Sequence, residues 1–105
     1  MLIQKSSKID VGDIMSFKLA NGDEIIGKVA EETATDFLLS KPCLVVPSQQ
    51  GVGLMQAMFS ASPDADVPVS KAHIMMKSAT LEQLQQHYIK TTTGLEILPQ
   101  GSKLR

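Results

Sequence analysis

Alternation of apolar and polar side chains predicts three consecutive strands in the first half of the chain. The strands cover residues 14–19, 24–29 and a third that begins at 36–39. In the first, Phe17 and Leu19 share one face, and this period of two is typical of a half-buried strand. Asn21-Gly22 separates the first two strands and accepts the positive φ of a two-residue primed turn. The pattern predicts an antiparallel meander.

Two residues inside the strands interrupt regular pairing. Gly27 lies in the middle of the second strand, where a glycine marks a sharp bend, a bulge or the close approach of another backbone. Pro42 lies within the third strand, which continues to residue 46. Because proline donates no hydrogen bond to a ladder, Pro42 predicts an edge position or a bulge.

Two further apolar segments predict a fourth strand over residues 54–60 and a fifth over 67–76. A helix in place of the fourth strand remains open, since short apolar runs do not separate the two. The fifth strand is apolar on both faces near Met75 and Met76, which indicates that a partner covers one face. These methionines fill either the core or an interface. The loop at residues 62–66 is acidic and exposed.

The hydrophobic period changes near Thr80 and predicts a C-terminal helix over residues 80–91. Thr80 and Gln83 form a capping-box pattern. One stripe carries the apolar residues Leu81, Leu84, Tyr88 and Ile89. Gly94 follows residues of low helix propensity and predicts the end of the helix.

The whole chain, residues 1–105, is predicted to form one domain. Residues 1–12 are a short lead-in, residues 13–78 the β domain, and residues 94–105 a tail after the helix. The N-terminus lacks the apolar core of a signal peptide, and no run approaches the ~20 apolar residues of a membrane span. We therefore expect a soluble, cytoplasmic protein.

Charge and composition limit the classes of partner. Ten basic and 11 acidic residues give a net charge of −1, so no global field attracts nucleic acid. Three Phe, one Tyr and no Trp argue against a broad stacking surface. Any nucleic acid would meet local charge, supplied by lysines along the strands: Lys18, Lys28, Lys41, Lys71 and Lys77.

Candidate catalytic and metal-binding residues form no recognisable pattern. Cys43 is the only cysteine and is interpreted as a buried, inert thiol. His73 and His87 lie near no nucleophile, and their spacing with Asp64 and Asp66 matches no metal motif. Phosphate-binding and dinucleotide glycine loops are missing. The prediction is a non-enzymatic protein with no catalytic residues, no metal and no cofactor.

The meander resembles the Sm/LSm family, ring-forming RNA-associated proteins that include the bacterial Hfq type. The resemblance rests on three segments: FKLANG (17–22), EIIGKV (24–29) and FLL (37–39). VSKAHI (69–74) is similar to the second Sm motif. The resemblance implies a small, strongly bent, five-stranded antiparallel barrel of SH3-like type. It also implies a homo-oligomeric ring in which the fourth strand of one subunit pairs with the fifth of the next.

The chain departs from the family at the residues that bind the nucleotide. In the family, an Asp and an Asn after the second strand hold the base. The corresponding positions here are Thr33 and Phe37, and Ser70-Lys71 replaces the Arg-Gly of the second motif. Neither Thr33 nor Phe37 reproduces the family contact, although Phe37 could stack on a base and Lys71 could contact phosphate.

The resulting prediction is an Sm-like homo-oligomeric ring of roughly five to seven subunits that binds or chaperones RNA. The candidate RNA-binding residues are Phe37, Lys41, Lys71 and His73. The alternative, favoured by the near-zero charge and the scarce aromatics, is a structural or adaptor ring that binds protein without RNA.

Overall fold

The computed structural model describes residues 9–97, with the side chains of residues 9–93. The chain is mainly β, with one helix at its C-terminal end. The elements are β1 (Ile14–Leu19), β2 (Glu24–Glu32), β3 (Asp36–Ser48), β4 (Gly51–Gln56), β5 (Asp66–Ser70), β6 (Ile74–Ala79) and α1 (Glu82–Ile97).

The strands form one antiparallel sheet in the order β4-β3-β2-β1-β6. β5 lies off this path and pairs with β3. The 13-residue β3 therefore serves two partners on the same side: its first half pairs with β5 and its second half with β4. The six strands together form an open sheet, whereas the sequence predicted a five-stranded barrel.

The extra strand arises because the predicted fifth strand is interrupted. Lys71–His73 forms one turn of 3₁₀ helix between β5 and β6, and the Ala72 amide donates to the Ser70 hydroxyl at 3.2 Å. This side-chain bond offers the backbone an alternative to the ladder. The predicted fourth strand is a strand but ends at Gln56, and residues 57–65 form the connection to β5.

The β1–β2 hairpin is confirmed, but its predicted two-residue primed turn is wrong. The Leu19 amide donates to the Asp23 carbonyl at 2.8 Å, which leaves three residues in the loop. Gly22 has a positive φ of 98°. Asn21 does not, since Lys41 is the only described residue other than glycine with a positive φ. Asn21 instead accepts a bond from the Asp23 amide through its side chain at 2.9 Å. Three-residue loops commonly place a glycine in this left-handed position.

A bulge opposite Gly27 confirms the predictions made from Gly27 and Pro42. Ile26 pairs with Cys43 and Lys28 with Ser40, so Lys41 and Pro42 together oppose the single residue Gly27. Lys41 takes φ of 46° there. A Cβ on Gly27 would lie 3.1 Å from Cβ and Cδ1 of Leu39. A side chain at this point would therefore require Leu39 to shift by a few tenths of an ångström.

The sheet buries side chains on both faces. On one face, a cluster is formed by Met15, Phe17, Ile25, Val29, Phe37 and Leu39. On the other, Ile26 and Cys43 pack against Tyr88 of α1. Ile25 and Ile26 are adjacent yet point to opposite clusters, as the pleat requires. The helix covers the second face at β2 and β3, whereas Met75 and Met76 of β6, where the sequence indicated a covering partner, are 68% and 69% exposed.

Tyr88 attaches α1 to the bulge. Its hydroxyl donates to the Ser40 carbonyl at 2.6 Å and lies 3.2 Å from the Lys28 amide, from which it accepts. Burial raises the pKa of the Tyr88 hydroxyl to about 12, so it stays protonated at neutral pH. Leu84 packs beside Tyr88, but Leu81 and Ile89 are exposed. The predicted stripe is therefore only partly buried.

The helix boundaries differ from the prediction. Thr80 forms no capping box: its hydroxyl lies 2.8 Å from that of Ser16, and the Gln85 side chain donates to the Thr80 carbonyl. α1 also continues through the predicted stop to Ile97. Thr92 is buried, and its hydroxyl donates to the Tyr88 carbonyl at 2.9 Å, so packing overrides low propensity there.

Residues 1–8 of the predicted lead-in and residues 98–105 of the predicted tail lie outside the described residues. Between residues 9 and 97, no helix is both long and apolar enough to cross a membrane.

Gly27→Ala should destabilise the fold by about 1–3 kcal/mol, because Leu39 must move or strain to accommodate the new methyl group. Gly53→Ala in β4 is the matched control, since its Cβ would meet only the Val46 carbonyl at 3.8 Å. Urea unfolding measures both. Equal free energies of unfolding for the two variants would contradict the close approach at Gly27.

Candidate functional site

Two turns lie in contact at one end of the sheet, and both belong to segments that were predicted from the sequence to bind RNA. The β2–β3 turn holds Thr33 and Thr35, and the 3₁₀ turn begins at Lys71. The Lys71 amide donates to the Thr35 carbonyl at 2.8 Å, while Asp36 pairs with Ser70. The two segments are far apart in sequence, and it is the β3–β5 pairing that brings them together.

Thr33 is occupied in holding its own turn. Its hydroxyl oxygen accepts from the Asp36 amide at 2.9 Å and from the Thr35 amide at 3.3 Å. It also donates to the Asp36 carbonyl at 3.3 Å. A side chain with these bonds stabilises a tight turn.

Phe37 lies in the core. Only 3% of its surface is exposed, and its ring centroid is 5.2 Å from that of Phe17. Phe37 and Val69, its partner on β5, pack in the same core cluster as Phe17. In this conformation the ring offers no open face to a base.

The Lys71 side chain lies over the ring of Phe37. Its ammonium lies 5.0 Å from the Phe37 ring centroid, within the range of a cation–π contact, and 2.6 Å from the Glu32 carboxylate. The Lys71 and Glu32 side chains remain 31% and 41% exposed. An ion pair this exposed contributes about 0–1 kcal/mol and is weakened by salt. Lys71 is thus oriented by Glu32 but remains accessible to an anion.

The surrounding depression is shallow and carries more cations than anions. We call it the turn cluster, and it is lined by Glu32, Phe37, Lys71, Ile74 and Lys77. Lys77 is exposed and pairs with Phe17 across β1 and β6. Two ammonium groups face one carboxylate here, so the turn cluster has the composition of a small anion-binding surface.

His73 lies next to the turn cluster and Lys41 lies elsewhere. The His73 side chain is exposed, and its carbonyl accepts from the Ala20 amide at 2.7 Å. Lys41 is beside Ser40, which pairs with Asp66 at the other end of β5 from Lys71. The five residues of β5 lie between the positions of the two lysines, about 16 Å along the strand. The structure therefore groups Phe37, Lys71 and His73 without Lys41.

Lys41 belongs instead to an apolar cavity of about 40 Å³ next to Cys43. Burial raises the pKa of the Cys43 thiol from its ordinary 9.0 to about 11. The thiol lies 3.6 Å from the Lys41 carbonyl, to which it donates. At neutral pH the group is a protonated thiol, which is a poor nucleophile.

Sequence reasoning missed Glu32 and the special position of Lys77. Each is placed by register: β2 shifts register between Val29 and Glu31, and β6 shifts against β1 near Lys18. The available signal was a charged residue at the end of a strand, next to a turn. This signal alone does not show which lysine pairs with which carboxylate. Among the described side chains, no group of three His, Cys, Asp or Glu could hold a metal ion.

No protein-family model matches the chain. A search of curated protein sequences likewise found no significant match.

The raised pKa of Cys43 predicts a loss of stability at high pH. The unfolded thiol ionises near pH 9 while the folded thiol keeps its proton to about 11, so the unfolded state binds fewer protons between these values. The stability of the wild type relative to Cys43→Ala should fall across that interval. Urea unfolding at about pH 8 and pH 10.5 measures this difference. A difference that stays constant would show that the thiol is not desolvated.

Proposed function

We propose that the protein is a non-enzymatic, Sm-like subunit of a homo-oligomeric ring that binds RNA through phosphate contacts. The observation that carries this proposal is the contact between Lys71 and Thr35, which joins the two segments that the Sm resemblance assigns to the nucleotide site. The proposed ring contains roughly five to seven subunits, and its proposed location is the cytoplasm.

The strand pairing supports a bent barrel as the subunit fold. β5 pairs with β3, and only the three residues of the 3₁₀ turn separate β5 from β6, which pairs with β1. A chain of contacts therefore runs from β1 through β2, β3 and β5 and back through β6. The bulge at Lys41 and Pro42 bends β3, as strands of small barrels require.

The two edge strands of the sheet, β4 and β6, support the proposed ring. β4 and β6 each pair with one strand only within the described chain, so each presents an open edge. Exposed apolar side chains lie on both, namely Val52 and Met55 on β4 and Met75 and Met76 on β6. Open edges of this kind pair with another chain, and head-to-tail pairing closes into a ring when the rotation permits.

The chemistry of the turn cluster supports phosphate binding without base reading. Lys71 and Lys77 supply charge, while Thr33 and Phe37 are occupied by the turn and the core. In a ring these lysines recur once per subunit and form a circle of positive charge despite the net charge of −1. Binding of this type is tolerant of sequence and strongly weakened by salt.

A structural or adaptor ring that binds protein is the second candidate. It is favoured by the ion pair between Lys71 and Glu32, which already satisfies the cation, and by the burial of Phe37. The exposed apolar side chains would then serve protein contacts as well as assembly.

Oligonucleotide titration separates the two candidates. We expect labelled oligo(U) and oligo(A) to bind with similar affinity, more tightly at low salt. Lys71→Ala should weaken binding severalfold and flatten the salt dependence, since one phosphate contact per subunit is lost. Lys90→Ala, on α1 outside the turn cluster, is the control. Failure of the wild type to bind either probe at low salt would favour the adaptor.

Glu32→Gln tests whether the carboxylate competes with phosphate for Lys71. Removing the charge should strengthen oligonucleotide binding, while Glu31→Gln, a neighbouring exposed residue without this ion pair, should change it less. If the two variants bind equally, Glu32 does not restrain Lys71.

Light scattering tests the ring itself. At micromolar concentration we expect a mass several times the 11.3 kDa of one chain. A mass of one chain would refute the ring.

A further inference from the structure

We propose that, in the ring described above, Met76 on β6 of one copy enters the apolar cavity beside β4 and β5 of the next, and that opposite charges on the two edges orient the contact. The inference rests on the proposed ring and specifies how its subunits recognise one another. Three features carry it: the cavity, the methionine and the distribution of charge.

The cavity opens where β4 ends and β5 begins. Residues 57–65 cover it on one side and Thr92 of α1 on another. Its lining is mostly apolar, and includes Pro42, Cys43, Met58, Ala61 and Val67. The volume of about 40 Å³ would hold about three water-sized groups, which is the size of the end of one side chain. An apolar site of this size favours an apolar occupant over water.

Met76 is suited to be that occupant. It is 69% exposed on an edge strand, although methionine is an apolar residue that adapts to irregular gaps. Ser78 pairs with Ser16, and Ser16 pairs with Ile26 beneath the helix. Because Met76 is two residues from Ser78, it lies on this same helix-covered face. Cys43 pairs with Ile26, so the part of the cavity that Cys43 lines is on the same face of the sheet as Met76.

The two edges carry opposite charges. Residues 42–70 hold the second half of β3, β4, the connection and β5, and they contain Asp64 and Asp66 but no Lys, Arg or His. Lys41 also lines the cavity, so two acidic groups and one basic group leave this edge with a net charge of −1. Residues 71–79, which include β6, contain Lys71, His73 and Lys77 but no acidic residue. Because Glu32 pairs with Lys71, the net positive charge of this edge rests on Lys77. Complementary patches of this kind select partner and orientation. One chain thus supplies both halves of a head-to-tail contact, which makes a second copy the fitting occupant.

The apolar part is tested by Met76→Ser in the full-length protein. Sedimentation over a dilution series gives the concentration at which half of the subunits are assembled. We expect Met76→Ser to raise this concentration at least about tenfold, equivalent to the loss of one buried apolar contact. Ile89→Ser, an exposed apolar residue on α1, should leave it unchanged. Circular dichroism and urea unfolding confirm that both variants fold.

The electrostatic part is tested by reversing one charge on each edge. Asp66→Lys and Lys77→Asp should each weaken assembly at low salt, because each places like charges across the contact. The variant that carries both changes should assemble nearly as well as the wild type, since the attraction is restored with opposite sign.

The outcomes separate the inference from the function on which it rests. A wild type that remains a single chain overturns both. An assembled wild type overturns the inference alone if Met76→Ser assembles normally, or if the double charge reversal is no better than the single ones.

Discussion

The close approach of β2 and β3 at Gly27 is the constraint on which the rest of this structure depends. With no side chain at Gly27, Leu39 packs against the backbone, and the opposing strand accommodates Lys41 and Pro42 as a bulge. The bulge divides β3 into two halves with different partners. One half fixes β5 and the turn that follows it, and the other fixes β4. The positions of β4, β5 and the turn cluster therefore depend on the bulge opposite Gly27.

The same bulge determines where the helix docks. The ladder is irregular on either side of the Lys28–Ser40 pair, and the Tyr88 hydroxyl bonds to a backbone group of each residue. A tyrosine is suited to this place because its ring packs with Ile26 and Cys43 while its hydroxyl meets polar backbone. The irregularity of the sheet and the position of the helix are thus linked by the hydrogen bonds of one buried tyrosine.

Local signals in the sequence predicted the elements, and long-range packing set their limits. Gly27 and Pro42 indicated the bulge because the missing side chain of glycine and the missing amide hydrogen of proline affect strand pairing in any surroundings. The end of the helix could not be predicted, since Thr92 is retained by burial against residues distant in sequence. The candidate site was likewise predictable only in part. Lys71 was predicted from its segment, but the burial of Phe37 and the approach of Glu32 depend on register across two bulges.

The Tyr88 hydroxyl also links local opening of the helix to opening of the sheet. If α1 leaves the surface, the Lys28 amide loses its acceptor and the Ser40 carbonyl loses its donor, both at the point where the ladder is least regular. Exchange of the Lys28 amide proton with solvent would then report the undocking of a helix 60 residues away in the chain. We therefore expect the helix and the centre of the sheet to open as one cooperative unit.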